Sequence, residues 1–556
     1  MPRDDHIDKP YLPNRKDFHL EKGTVMKSLM KKVFAAAAAI ATVFGLAATT
    51  VATANAADNA TLTVSTTDAK FAGKTVNAYK MFSATVSGDG KAVSYTLTDE
   101  WKPFFKNSVG LTGVTDENVN DKANDYVSKL TGNDLVAFAT KASNWAQTTT
   151  NHITANATAT VSKNAATDGK YTATFTGLDY GYYVVAVPGA TLANASGQYA
   201  TLVSVGSANV NASIKGDLPT VDKKVQVDGT GKDATDAKIG DTLTFTLTST
   251  IPDMSAYNTY TFNFKDTLSK GLTFGQVNSV KVGDTTLTKD TDYTVSTSKD
   301  SQNNTLLTVA MKDFKTKQQA NAGKKITVTY TATLNKDAVV GGHGNTNSAT
   351  IQYSNNPSTG GTGESEPSKV RVFTYGFTVD KYTGDEYTDG AARLAGAKFT
   401  LAPKNGAPMS FVQVNAGSAT ANAVYRVAKA DDTGATTIIT TPQSGKVDFQ
   451  GLKNGEYTLT ETEAPAGYNK LASAIGVKVE GQNNGTDTTN ATVTITYNND
   501  NGNDYNQTAS NGVIPVQNKS GAILPGTGGM GTIAFTVIGV LVIALGVAWT
   551  LKRKNA

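Results

Sequence analysis

Three short segments put a polar residue where a strand should place a core side chain. Phe377, Val379 and Lys381 fall on one face of an extended chain, as do Tyr457, Leu459 and Glu461, and again Ile514, Val516 and Asn518, because strand side chains alternate with period two. Two apolar residues lead each time to one amine, one carboxyl or one carboxamide. Burying any of these without a partner is expensive, so the three are expected either to pair or to react. The arrangement also occurs earlier in the chain. Val221, Lys223 and Val225 share a face, Phe262, Phe264 and Asp266 share another, and Asn347 opens a face continued by Ala349, Ile351 and Tyr353. Lys224 and Asn345 are neighbouring alternatives, and Asp241 is a second candidate acid. Solvated Lys and Asn on polar strands would be the plain reading of either set alone, and the repetition argues against it.

The chain ends carry signals of another kind. ILPGTGG (523–529) precedes an apolar run from Gly531 to Leu551 and then Lys552, Arg553 and Lys554. About 20 apolar residues suffice to cross a bilayer core as one helix, and the basic tail is expected to stay cytoplasmic. From Met26 onward a Lys-bearing stretch, an Ala-rich apolar stretch and the small-x-small site Ala54, Asn55, Ala56 read as a secretory signal peptide (26–56), with cleavage expected before Ala57. Residues 1–25 are charged and out of place ahead of it, so the expected start is Met26 and the mature region runs from Ala57 to Thr527.

The elements that must hold these residues are mostly strands. Segments such as ATLTVST, TLTFTLTS, KITVTYTATL and ATVTITYN alternate apolar and polar residues throughout, the pattern of strands with one buried face. About 470 mature residues imply several domains. GDLPT (216–220) and the Pro, Gly and Ser-rich NNPSTGGTGESEPS (355–368) punctuate the chain, giving segments 57–217, 218–365 and 366–520, with 521–556 as the terminal signal. The second and third read as all-β, immunoglobulin-like sandwiches. The first also carries helical spacing in Leu135, Phe138, Ala139, Ala142 and Trp145, and is expected to be a sandwich with helical insertions. The expected fold is therefore mainly β, in tandem sandwich domains.

Composition narrows the function. Lys and Arg number 51 against 47 Asp and Glu, a balance that gives no footprint for nucleic acid. The four histidines, at 6, 19, 152 and 343, have no metal or triad spacing, and cysteine is absent. No cofactor, no metal and no enzyme activity on an external substrate are expected. Exported β proteins commonly draw stability from disulfides, so this one needs another source.

Motif, helix and basic tail together resemble the cell-wall sorting signal of Gram-positive surface proteins. The resemblance makes Leu524, Pro525, Gly526, Thr527 and Gly528 the recognition motif. It implies that a membrane sortase cuts between Thr527 and Gly528 and passes the Thr527 acyl group to an amine. YTLTETEAPAGY (457–468) resembles the E-box of Gram-positive pilins, and residues 366–520 are similar to the B-type repeat domain of collagen-binding adhesins (Cna B-type). That likeness implies an isopeptide bond between Lys381 and Asn518, promoted by Glu461. Residues 218–365 resemble the A-type domain of the same surface proteins (Cna A-type), implying a Lys223–Asn347 bond with Asp266 as the acid.

The chemistry implied is self-contained. Burial disfavours charge, so a core lysine offers a neutral amine and a core acid keeps its proton. A protonated acid beside the amide can polarise its carbonyl and shuttle protons while the amine attacks and ammonia leaves. In the first segment GLDYGYYVVAVPG (177–189) lacks the E-box Glu, and no such bond is expected there.

Likeness to pilus backbone subunits further implies an acceptor lysine near the end of the first domain. NVNASIKGDLPT offers Lys215, with Ser213 and Ile214 where the family's motif has Tyr and Pro. The whole then reads as a major fimbrial subunit on the cell surface, with Thr527 joined to Lys215 of the next copy. Its expected partners are identical subunits, a pilus-specific class C sortase, a housekeeping sortase, a minor or tip pilin, peptidoglycan, and a host glycan or matrix protein. The alternative is a monomeric wall-anchored adhesin that binds a host protein or glycan.

Overall fold

The computed structural model describes residues 59–521 apart from 88–91, 149–150, 152, 192–199, 356–360, 483–491 and 500–503, together with scattered positions between 540 and 549. The signal peptide and residues 524–528 lie outside the described residues. So does the apolar run after residue 530, apart from those scattered positions. No described helix is long and apolar enough to cross a membrane. The chain is mainly β and divides into two compact units, one holding most of 1–371 and the other holding 372–556 with 235–241 and 334–345.

In the first unit, the N-terminal segment pairs Ala60–Thr66 with Tyr171–Leu178 on one side and, in parallel, with Asn209–Ser213 on the other. A second sheet is centred on Thr75–Val86 and Gly181–Ala186. Three α-helices, Lys102–Asn107, Val119–Ser128 and Gly132–Ala146, follow the strand Val93–Leu97. They pack through aromatic edges and faces. Trp145 lies 5.2 Å from both Trp101 and Phe104, and Phe105 reaches Phe82 of the sheet at 5.9 Å. The expected helical stripe is present, with Phe138, Ala139 and Ala142 buried and Leu135 and Trp145 half-buried.

The middle segment is a two-sheet sandwich. One sheet carries, as neighbours, Asp222–Val227, Thr242–Thr250, Lys325–Leu334 and Leu272–Val282, and the other carries Asn345–Ser354, Phe262–Leu268, Thr305–Met311 and Tyr293–Lys299. Alternation is strict where it matters. In Lys325–Leu334 the side chains of Ile326, Val328, Tyr330, Ala332 and Leu334 are all buried, as period two requires. The stretch 355–368, read above as punctuation between segments, holds the strand Thr362–Glu364, which pairs with Asn345–Ser354, and a buried Ser365. The strand bearing Asn347 is thus followed by further strands instead of ending the segment.

In the second unit, Tyr375–Thr383 pairs antiparallel with Lys446–Leu452 and in parallel with Val513–Gln517, so the strand bearing Lys381 and the strand leading to Asn518 are direct neighbours. The facing sheet carries Lys398–Pro403, Gly455–Glu463, Ile475–Gln482 and Thr492–Asn498. Phe377 stacks on Phe449 at 5.0 Å under this interface.

Candidate functional site

Lys223 belongs to one sheet of the middle sandwich, while Asp266 and Asn347 belong to the other. Leu247 stands opposite Lys223, and Asp266 stands opposite Ala349 on the strand that bears Asn347. All three polar residues are buried, Lys223 and Asn347 completely. Lys223 Nζ donates to Asp266 Oδ2 at 2.5 Å and to the hydroxyl of Tyr330 at 2.8 Å. That hydroxyl donates to Asp266 Oδ2 at 2.6 Å and accepts from Asn347 Nδ2 at 2.7 Å. The amine also sits 5.4 Å and 5.1 Å from the ring centres of Phe245 and Tyr330. Burial among these rings outweighs the attraction of Asp266 and pulls the Lys223 pKa down to about 8.

The alternatives separate cleanly. Lys224 pairs with Asp233 at 2.6 Å, and Asp241 is tied to Lys238. Asn345 is buried but spends its amide on Val339 and Val372 backbone groups, so it clamps a loop.

Around Lys381 the second set closes in the same manner. Lys381 and Asn518 sit at the ends of the two parallel neighbours Tyr375–Thr383 and Val513–Gln517, Lys381 opposite Val516, and Glu461 enters from the facing sheet. All three are buried. Lys381 Nζ donates to the Val516 carbonyl at 3.3 Å and lies 3.3 Å from Glu461 Oε1. Asn518 Nδ2 donates to Glu461 Oε2 at 3.0 Å, and the backbone N–H of Leu471 also donates to Oε2, at 2.8 Å. Desolvation again dominates and lowers the Lys381 pKa to about 8.

The polar atoms left over are the same in both places. Asp266 Oδ1 and Asn347 Oδ1 in one site and Asn518 Oδ1 in the other are buried with no hydrogen-bond partner, and Glu461 Oε1 has only the Lys381 amine at 3.3 Å. Buried polar atoms are otherwise paired almost throughout proteins, so each site keeps acceptor capacity that its hydrogen bonds do not use. An amine whose charge burial disfavours, a carboxyl group and a carboxamide in one dry pocket are the reactants for condensation with loss of ammonia.

Sequence reasoning found six of these side chains and missed Tyr330. Its alternation marked it as core, but nothing local signalled that its hydroxyl would meet a lysine so distant in the chain. In the first segment Lys80 pairs with Asp179, which is half-exposed. Lys215, two residues beyond the end of Asn209–Ser213, is exposed.

Two family models match the chain. The one described as Gram-positive pilin backbone subunit 2, Cna-B-like domain, matches residues 239–357, and a SpaA prealbumin-like fold domain matches residues 385–495. The description of the first is Cna-B-like, where the sequence likened that segment to the A-type. No curated relative matches the chain. Among solved structures, the major pilin SpaA of Corynebacterium diphtheriae is similar at 17% identity and a TM-score of 0.44, covering 83% of this chain and 100% of that one. The T6 backbone pilin of serotype M6 Streptococcus pyogenes is similar at 20% identity and a TM-score of 0.42, covering 76% of this chain and 83% of that one. On these two matches, the chain carries a domain similar to that of Gram-positive pilin backbone subunits at 239–357, followed by a SpaA-type prealbumin-like domain at 385–495.

Proposed function

We propose that this chain is the shaft subunit of a sortase-assembled surface fibre, locked internally by Lys223–Asn347 and Lys381–Asn518 isopeptide bonds. The observation that carries the reading is the pair of buried sites, each bringing a lysine, an acid and an asparagine together, in segments that match pilin-backbone and SpaA-type domain models. In each site the lysine amine attacks the asparagine carboxamide carbon, the acid relays a proton, and ammonia departs.

Between subunits the chemistry needs an enzyme. A class C sortase thiolate would take the acyl group of Thr527 from the LPGTG motif and release the segment beginning at Gly528. The amine of Lys215 on the next copy would then displace the thiolate, giving an amide. Exposure of Lys215 supports its role as acceptor. Repetition of one head-to-tail contact builds an open fibre, and a housekeeping sortase would transfer the basal subunit to peptidoglycan.

Cell-wall extracts boiled in SDS test this reading. A ladder of high-mass species is expected from the wild type and its collapse to a single band from Lys215→Ala. A single band from the wild type would instead fit a wall-anchored monomer and refute the shaft.

A further inference from the structure

The two sites solve one problem differently. Glu461 touches the Asn518 amide nitrogen directly. Asp266, one methylene shorter, has its hydrogen bonds from Lys223 and Tyr330, and the Asn347 nitrogen donates to Tyr330 instead. The hydroxyl therefore stands between the acid and the amide. It is the one group hydrogen-bonded to the attacking nitrogen, the leaving nitrogen and the acid together. A hydroxyl has one proton to donate and two lone pairs, and here all three are used.

We propose that Tyr330 is a further catalytic residue of the middle site, relaying the proton that the Lys223–Asn347 condensation must move. The inference rests on the isopeptide reading above. In the step, the bond from Lys223 Nζ to Asn347 Cγ forms and the bond from Cγ to Nδ2 breaks. One proton leaves Nζ, passes through the Tyr330 oxygen and Asp266 Oδ2, and returns through the same oxygen to Nδ2, which departs as ammonia. Tyr330 and Asp266 finish in the protonation states in which they began. No oxidant, reductant or co-reactant is consumed.

Packing suits the role. Phe245 stacks on the Tyr330 ring at 5.4 Å and Phe274 lies against it at 6.0 Å, so the hydroxyl is held in place by its ring. Burial and the neighbouring Asp266 raise the phenol pKa well above its usual value, which keeps the hydroxyl neutral and its proton available. Among the hydrogen bonds of Lys381, Glu461 and Asn518 no hydroxyl takes part, so the second site serves as an internal control.

The test is the intact mass of the full chain at successive times after a pulse of cell-free synthesis, with each bond registering a loss of about 17 Da by the stoichiometry of the condensation. The wild type is expected to lose two such units. Tyr330→Phe, which keeps the ring and removes the oxygen, is expected to lose the Lys381–Asn518 unit on schedule and the other at least tenfold more slowly. Asp266→Glu added to Tyr330→Phe lets the acid reach the amide itself and is expected to restore the rate, a rescue that a merely structural tyrosine would not permit. Wild-type timing in Tyr330→Phe overturns the proposal. Absence of any mass loss in the wild type overturns instead the isopeptide reading beneath it. Should Tyr330→Phe fail to fold, biosynthetic fluorotyrosine makes the phenol more acidic at little cost in packing. The rate of the middle bond must then change relative to that at Lys381, and an unchanged ratio overturns the relay.

Discussion

A lysine whose charged form is expelled from the core makes the unreacted domain sensitive to pH in a direction fixed by the shift. Burial pulls the Lys223 pKa down to about 8 in the folded chain, against the ordinary lysine value of 10.5. Between those values the unfolded chain binds the proton and the folded chain does not, so stability rises with pH across that window. Asn347→Ala, which cannot form the bond, is expected to gain roughly 3 kcal/mol from pH 8 to 10.5 relative to the same variant carrying Lys223→Met. Urea unfolding at a series of pH values measures it. In the wild type the gain should vanish, because an amide nitrogen does not titrate.

Strand order decides what each bond does to its domain. The middle bond would join opposite sheets and pin the sandwich shut, while the second would join two parallel neighbours, Tyr375–Thr383 and Val513–Gln517, along one sheet. Closing a loop of roughly 135 residues restricts the unfolded chain by about 5 kcal/mol on the disulfide analogy. Asn518→Ala is expected to lose about that much, read as faster hydrogen exchange in the Lys446–Leu452 strand. Equal exchange in mutant and wild type would mean that no bond forms.

Period-two alternation made most of these elements legible, since Lys223, Asp266, Lys381 and Glu461 each follow apolar residues on a buried face. Less visible were contacts made across sheets. Tyr330 looks like any other buried member of KITVTYTATL, and its function depends on a partner 107 positions away. Three α-helices are not legible in the pattern: the five-residue Phe314–Gln318 in the segment expected to be all-β, Lys102–Asn107, and Val119–Ser128, where Val119, Ala123 and Val127 recur every fourth residue in a polar surrounding. Pro103 also masked the short helix Lys102–Asn107, where proline sits harmlessly in the first turn. The Pro and Gly-rich composition of 355–368 hid a strand of three residues.

At the scale of the molecule, the positions of the proposed cross-links would define which residues bear load. Tension entering at Lys215 would run to Lys223, cross to Asn347, continue to Lys381, cross to Asn518 and leave at Thr527. The first segment, joined covalently only beside Lys215, would lie off this path, and so would the stretches enclosed by the two bonds. Roughly 50 residues remain in line, a contour of at most about 180 Å at full extension. Hydrogen-bonded strands off that path would not need to resist force, which would let a chain without cysteine serve as a tether. Single-molecule pulling between a handle on Lys215 and one beyond Asn518 should therefore give no unfolding steps from the enclosed stretches. Asn347→Ala should add one step from roughly 120 released residues, about 400 Å of contour, and Asn518→Ala one of about 450 Å. Steps of these lengths in the wild type would show the load passing through folded strands and would refute the covalent path.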